Sequence, residues 1–351
     1  MPLNYVLVAG GLGYIGSHVV IVLIKAGYNV IIVDDLSNSK IEKYEEIKKV
    51  LSLEGFSNAN TKANALIFHK TDLTDKNATL KLFTKYQIHT VIALAGLKSV
   101  SESTIYPIKY YATNLAIINN LLLGVDTRSQ KSCNFIFSST GTVYNSNNSL
   151  PYKETDDIGK ELSNPYSTSK YLIERLLEDV AKHNKNINIT NLRYFNPVGN
   201  HSSGLLADNP RYPTNLFPII TKSIIENKQF QIFGQNYDTS DGTCERDYIS
   251  VEDVASAHLV VLMRQIENSN YDVFNVGLGK SVSVLNIVKT YENVNNIKLN
   301  YSIGPPRNGD LPITVGDPNK LKLLGWTPKW TLEDCVRHSY TSLNRGKQFP
   351  I

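Results

Sequence analysis

Tyr166 and Lys170 stand four residues apart in "NPYSTSK", so on a helix they share one face. A tyrosine has a free pKa of about 10, and a base working near neutrality needs that lowered by roughly 3 units, about 4 kcal/mol of preference for the phenolate. A neighbouring ammonium favours the anion, so such a pair can take a proton from a hydroxyl. Alone, the spacing is equally that of a packed helix with one solvated lysine. It gains force from the apolar run "NFIFSS", which leads into "STGTVY" (Ser139 to Tyr144). Hydroxyls at the C-terminal end of a central strand face the ligand crevice of an α/β sheet, and Thr140 there can relay a proton.

A second constellation lies at the start of the chain. "GGLGYIG" (Gly10 to Gly16) falls between a strand-like run and a helical one. Gly10, Gly13 and Gly16 allow a tight turn and a close backbone approach to a pyrophosphate, which the helix N-terminus then holds. A glycine triplet by itself would also suit a plain strand–helix turn. The next strand, however, ends at Asp34, roughly 20 residues on, where a carboxylate accepts hydrogen bonds from ribose hydroxyls. Asp35 adds negative charge, and no arginine follows in "LSNSK". A 2′-phosphate would be repelled, so NAD is expected rather than NADP.

Glycine turn, strand-end hydroxyls and Y-x-x-x-K together resemble an extended short-chain dehydrogenase/reductase. Within that group the chain resembles the UDP-glucose (UDP-galactose) 4-epimerases from end to end, through "GGLGYIGSH", "VDDLSNS", "AGLKSVSES", "FSSTGTVY", "NPYSTSK", "LRYFNPVGNHSSG", "FGQNYDTSDGTCERDYI", "FNVGLG" and "RNGDLPITVGDP". The resemblance implies C4 epimerisation of a UDP-hexose through a 4-keto intermediate, with NAD as the regenerated cofactor. It implies that Gly10, Gly13 and Gly16 hold the pyrophosphate, that Asp34, Asn38 and Asp72 hold the adenosine half, and that Tyr14, Ile15, Ser39, Leu73, Tyr166 and Lys170 also bind the cofactor. Lys98 and Asn114 would line the cofactor cleft, and Thr140, Tyr166 and Lys170 would be catalytic. Phe195, Asn196, Asn215, Leu216, Ile232, Phe233, Arg246, Tyr248, Arg307, Asp310 and Thr314 would hold the UDP-sugar. Arg246 and Arg307 suit a diphosphate because their planar forks bind its oxygens in pairs. Thr314, four positions after Asp310, would border the sugar's C2 substituent, and its small size extends the expected range to UDP-GlcNAc and UDP-GalNAc.

The chain departs from the family pattern at Ser167, where glycine is common, at Ala93 and Leu94, which replace His-Phe, at Gly141, where alanine is common, and at Asn145, which replaces a glycine. None removes a catalytic group. Two rival readings stand beside the epimerase. A dehydratase or decarboxylase would carry a carboxylate just after the strand-end hydroxyl, where this chain has Gly141-Thr142. A non-catalytic NAD-binding regulator would more often have lost the tyrosine or the lysine.

The elements that must position these groups are legible as alternating runs. "YVLVA", "NVIIV", "ALIFHK", "TVIALA", "NFIFSS" and "INITNLRYF" read as strands separated by helical patterns. Strands buried on both faces and joined by helices predict a doubly wound parallel Rossmann sheet. After Phe195 the pattern loosens into loops, short strands and helices, predicting a second, smaller mixed α/β substrate domain. Residues 1–195 are thus the expected NAD domain, with a segment near 244–263 returning to it, and 196–351 the UDP-sugar domain. "GFSNANTKANA" (Gly55 to Ala65) reads as a polar surface loop.

Composition bounds the rest. The 351 residues are 42% hydrophobic, enough for two cores, with a formal charge of only +4 and no basic block. Nucleic acid is not an expected partner. Three widely spaced cysteines and no H-E-x-x-H exclude a disulfide framework and predict no metal. "VVIVLIKAGYNVIIV" is broken too early for a membrane span, and the start of the chain does not read as a signal peptide. A cytoplasmic protein is expected. The resemblance adds a homodimer built on helices near Ile108 to Leu122 and Tyr166 to Lys182.

Overall fold

The computed structural model describes residues 4–56, 65–126, 132–208, 210, 213–264, 270–307 and 309–348. Most of the polar loop expected over Gly55 to Ala65 lies outside the described residues. The first half runs β1 (Tyr5–Ala9), α1 (Tyr14–Lys25), β2 (Asn29–Asp34), α2 (Glu42–Leu53), β3 (Leu66–Lys70), α3 (Lys76–Lys85) and β4 (Ile88–Ala93). It continues with α4 (Val100–Ile105), α5 (Pro107–Asp126), β5 (Cys133–Thr140), α6 (Pro165–His183) and β6 (Ile187–Tyr194). Then come β7 (Asn196–Val198), α7 (Leu216–Glu226), β8 (Phe230–Phe233), β9 (Glu245–Arg246), β10 (Tyr248–Ser250), α8 (Val251–Met263) and β11 (Tyr271–Val276). The chain closes with β12 (Val282–Ser283), α9 (Val284–Asn295), β13 (Tyr301–Gly304), β14 (Ile313–Thr314), α10 (Asn319–Leu323) and α11 (Leu332–Gln348).

Seven strands form one sheet in the order β11-β6-β5-β4-β1-β2-β3. The pairings from β3 through β2, β1 and β4 to β5 are parallel, and strand order reverses at β1. This is the doubly wound α/β fold, and it places strand C-termini along one edge. Val6, Leu7, Val8, Ile31, Ile32, Val91 and Phe135 are fully buried, as strands covered on both faces must be. The core on one side joins Leu7, Val33, Phe135 and Phe137 to Ile117, Leu121, Ile173 and Leu177 of α5 and α6. Burying each such aliphatic side chain contributes about 1.5–3 kcal/mol.

The chain divides into two compact units, one of Met1–Asn145, Asp157–Arg193 and Ala255–Phe274, the other of Ser146–Asp156, Tyr194–Val254 and Asn275–Ile351. The second unit has its own core of Phe217, Ile220, Ile232, Tyr248, Ile287, Tyr291 and Val336. Two boundaries differ from the expected ones. The stretch near 244–263 does not return as a block, because β10 pairs with β7 in the second unit. The return starts at Ala255 and ends at Phe274 within β11, which lies beside β6 as a seventh strand. Residues 146–156 join the second unit, tied there by the Tyr152 N–H to Val315 O and Asp317 N–H to Tyr152 O bonds.

Candidate active site

The turn between β1 and α1 is built from bare backbone. Gly10 takes φ +76°, and a Cβ on it would meet the Ala95 backbone nitrogen at 2.8 Å. A Cβ on Gly16 would lie 2.2 Å from the Gly10 carbonyl oxygen. No side chain caps α1 at Gly13, and its first turn carries no acidic residue. Tyr14 and Ile15 follow, half-buried. Such a turn leaves the helix's N-terminal dipole open to an anion and fits a dinucleotide pyrophosphate.

Asp34 ends β2 beside this turn. Its Oδ2 accepts the Leu12 N–H at 3.1 Å, and its Oδ1 accepts the Leu36 N–H at 3.0 Å and the Ser39 hydroxyl at 2.7 Å. Ser39 therefore braces Asp34, while Asn38 stands exposed alongside. After β3, exposed Asp72 accepts from the Thr74 N–H and hydroxyl, and Leu73 is buried in the core. Asn120 reaches across to the Leu73 and Thr74 carbonyls and fixes that loop. Lys98 is exposed after β4. Asn114 is buried and occupied by protein: its Oδ1 accepts the Leu97 N–H at 2.8 Å, and its Nδ2 donates to Leu97 O and to the Ser169 hydroxyl, both at 3.1 Å. Its visible work is to clamp the segment after β4 onto α6.

Thr140 is the last residue of β5; its hydroxyl lies 3.1 Å from that of Thr142 and accepts the Thr142 N–H at 3.2 Å. Asn164 caps α6, accepting the Ser167 N–H at 2.9 Å, with Pro165 at the first helical position. This cap starts the helix so that Tyr166 falls in its first turn and Lys170 one turn later. Ser167, the departure from glycine, fits without strain: its hydroxyl lies 2.8 Å from that of Thr142 and 3.1 Å from Asn164 Oδ1. Lys170 is buried, donates to the Ser138 carbonyl at 2.7 Å, and has its ammonium 4.7 Å from the Phe137 ring centre.

One expectation needs correcting. Burial pushes Tyr166 up to about 12, with the Thr140 side chain opposing. Burial also lowers Lys170 to about 8, with the Glu174 carboxylate opposing. Lys170 thus does not by itself depress the phenol, because both groups lose solvation and the ammonium is turned toward Ser138.

In the second unit the expected sugar residues form a connected group. Arg246 Nη1 donates to the Glu245 and Leu311 carbonyls at 2.8 Å each, and its Nη2 lies 3.6 Å from Asp310. Arg307 forks onto Asp310 at 2.8 and 3.4 Å and lies 5.0 Å from the Phe233 ring centre. Thr314 pairs with Arg246 where β14 joins β9. Asn196 pairs with Tyr248 where β7 joins β10, and donates its backbone N–H to Asp247 O at 3.0 Å. Phe195 lies over Gly316, where a Cβ would fall 2.0 Å from its ring. Asn215 is exposed at the start of α7, followed by half-buried Leu216. Ile232 is fully buried in the second core, so its backbone and its neighbour Phe233 are better placed for a ligand than its side chain.

Three residues escaped the sequence reading. Glu174 and Arg193, 1% and 3% exposed, form a forked ion pair at 3.1 and 2.7 Å. Arg193 also donates to the Tyr144 hydroxyl at 2.9 Å, and the Ser139 hydroxyl donates to Glu174. Asp247, fully buried, accepts the Leu278, Gly279 and Gly316 N–H groups at 2.7, 3.0 and 3.5 Å. Glu174 could have been noticed one helical turn beyond Lys170. No spacing signals its partner on β6.

The parallel sheet, the bare glycine turn and the Thr140–Tyr166–Lys170 arrangement define a dinucleotide-binding α/β protein of the extended short-chain dehydrogenase/reductase class. The chain belongs to the NAD dependent epimerase/dehydratase family, whose model matches residues 6–277. It is 38% identical over 338 residues to the UDP-glucose 4-epimerase of Haemophilus influenzae, covering 95% of this chain and 96% of that one. Among solved structures it is similar to UDP-glucose-4-epimerase from Stenotrophomonas maltophila with bound NAD and formylated UDP-arabinopyranose (TM-score 0.89, 33% identity, 98% and 99% of the two chains). It is equally similar to UDP-glucose 4-epimerase from Bifidobacterium longum in complex with NAD+ and UDP (TM-score 0.89, 36% identity, 98% and 99%).

Proposed function

We propose that this chain is an NAD-dependent isomerase that interconverts UDP-glucose and UDP-galactose by inverting C4. The observation that carries this reading is Tyr166 in the first turn of α6 with buried Lys170 one turn along, its ammonium held on the Ser138 carbonyl just before Thr140 at the end of β5. In this reading Gly10, Gly13, Tyr14, Ile15 and Gly16 hold the pyrophosphate, and Asp34, braced by Ser39, holds the adenosine ribose together with Asn38, Asp72 and Leu73. Asn114 sets the segment that carries Lys98. When bound, NAD would supply a positive ring that favours the phenolate and a hydride acceptor and donor for C4.

Thr140 and Tyr166 move the proton of the sugar 4-hydroxyl, and Lys170 favours the phenolate only together with the bound cofactor's positive ring. Arg246 and Arg307 exchange Asp310 and backbone carbonyls for diphosphate oxygens, which a planar fork binds in pairs. Phe195, Asn196, Asn215, Leu216, Ile232, Phe233 and Tyr248 complete the set for the nucleotide sugar. The absence of a carboxylate at Gly141-Thr142 disfavours a dehydratase. A coupled assay that follows UDP-galactose made from UDP-glucose tests the reading, and an NAD-loaded protein that produces none would end it.

Thr314 is small and half-buried beside Arg246, which supports acceptance of UDP-GlcNAc and UDP-GalNAc as well. Thr314→Tyr should then abolish the N-acetyl activity and spare the plain hexoses. If the unmodified enzyme turns over UDP-Gal fast but not UDP-GalNAc, some other group closes that space. A homodimer is supported by exposed Ile105, Tyr106, Ile108, Leu123 and Leu172 on α4 to α6. Three buried free cysteines fit a reducing, cytoplasmic setting, and no helix among the described residues is long and apolar enough to cross a membrane.

A further inference from the structure

Lys170 and Thr140 belong to different elements, and something must hold α6 in register with the end of β5. Lys170 Nζ is held by the Ser138 carbonyl at 2.7 Å, and the Thr140 hydroxyl is held by Thr142. Between these two contacts sits Ser139, whose hydroxyl donates to Glu174, one turn beyond Lys170. Glu174 is fixed in turn by the two-point fork of Arg193 on β6, and Arg193 by the Tyr144 hydroxyl. All four side chains are at least 95% buried. Both carboxylate oxygens of Glu174 are met by donors.

We propose that Glu174 is a positioning residue for the reaction: through the Ser139 hydroxyl it locks the end of β5 against α6, and it sets its charge one helical turn beyond Lys170. The proposal rests on Tyr166 and Lys170 working as described above. Burial drives Lys170 toward neutrality, and the opposing influence on it is Glu174. The titratable groups that interact with this cluster are Arg193 on β6, Tyr144 after β5, Tyr271 on β11 and Glu178 on α6. On α4 and α5, Lys109 and Tyr110 both donate to Glu102. Tyr271 is held high by burial with Glu174 beside it, so it stays neutral and cannot replace the carboxylate.

Three variants test this, each carrying its complement of NAD. Ser139→Ala cuts the link to β5 and leaves the ion pair whole; kcat should fall about tenfold, the scale of one lost hydrogen bond to a charged group, with KM little changed. Glu174→Gln should move the alkaline limb of kcat down by about one pH unit, since Lys170 then loses its proton sooner. Glu174→Gln with Arg193→Met removes both charges, which buried pairs tolerate better than a single deletion. It should move the limb in the same direction by less, and it serves if the single variant does not fold. A Ser139→Ala enzyme within twofold of the parent, together with an unmoved limb in the charge variants, overturns the proposal. Lys170→Met separates the two readings. If it keeps full activity, the catalytic reading itself is wrong; if it is inactive while the limb stays put, Glu174 alone is misassigned.

Discussion

Tyr166→Phe removes one oxygen from a half-buried ring whose packing stays the same, so the fold and bound NAD should persist. Turnover should fall by about 10²–10⁴, the usual contribution of a general acid–base group; steady-state rates within tenfold of the parent would show that the proton goes elsewhere. At Asp247 the charge state can be followed through stability. Burial raises its carboxyl from 3.8 to about 6, against three backbone N–H bonds that favour the anion. A folded-state pKa above the unfolded one means the native protein holds the extra proton between these values. Stability from this group is therefore greatest below about pH 4 and declines as pH rises to about 6, by roughly 3 kcal/mol in all. Asp247→Asn should lower stability at every pH, because its amide meets N–H donors, and should flatten the pH dependence in that window. Denaturant unfolding of the two proteins between pH 4 and 7 checks this; parallel curves would mean that Asp247 stays ionised throughout.

At the scale of elements, α6 carries the site because its start is well defined. Asn164→Ala deletes the cap on the Ser167 N–H and should cost about 1 kcal/mol, read from unfolding midpoints. It should also lower kcat, since Tyr166 lies in the first turn; lost stability with unchanged kcat would separate the cap from the site. The elements also explain how far the sequence could be read. Tyr166 and Lys170 were legible because helical spacing is local, and the glycine turn because its φ values and close approaches restrict residue type. Strands β1 to β6 were legible as apolar runs. The Glu174–Arg193 pair was not, because it joins a helix to a strand whose relative register appears in no local pattern. The direction of the Tyr166 shift was missed for a related reason: the Lys170 contact to Ser138 depends on a rotamer, not on spacing.

For the whole molecule, the exposed apolar residues on α4 to α6 bear on assembly. Ile108 is 81% exposed and Ile105 67%, more than a solvated helix face needs. Ile108→Glu should convert a dimer to a monomer in sedimentation experiments without loss of fold; a parent protein that sediments as a monomer would remove the dimer from the proposal. The position of β11 has a consequence for how the chain is made. The sheet edge beside β6 is completed only by Tyr271–Val276, so a ribosome must translate more than three-quarters of the protein before the nucleotide-binding half can close. Until then β6 offers a bare edge to any neighbouring strand. A gene cut after residue 195, at the boundary the sequence suggested, should yield insoluble protein, whereas a fusion of 1–195 to 255–276 through a flexible linker should restore solubility and NAD binding.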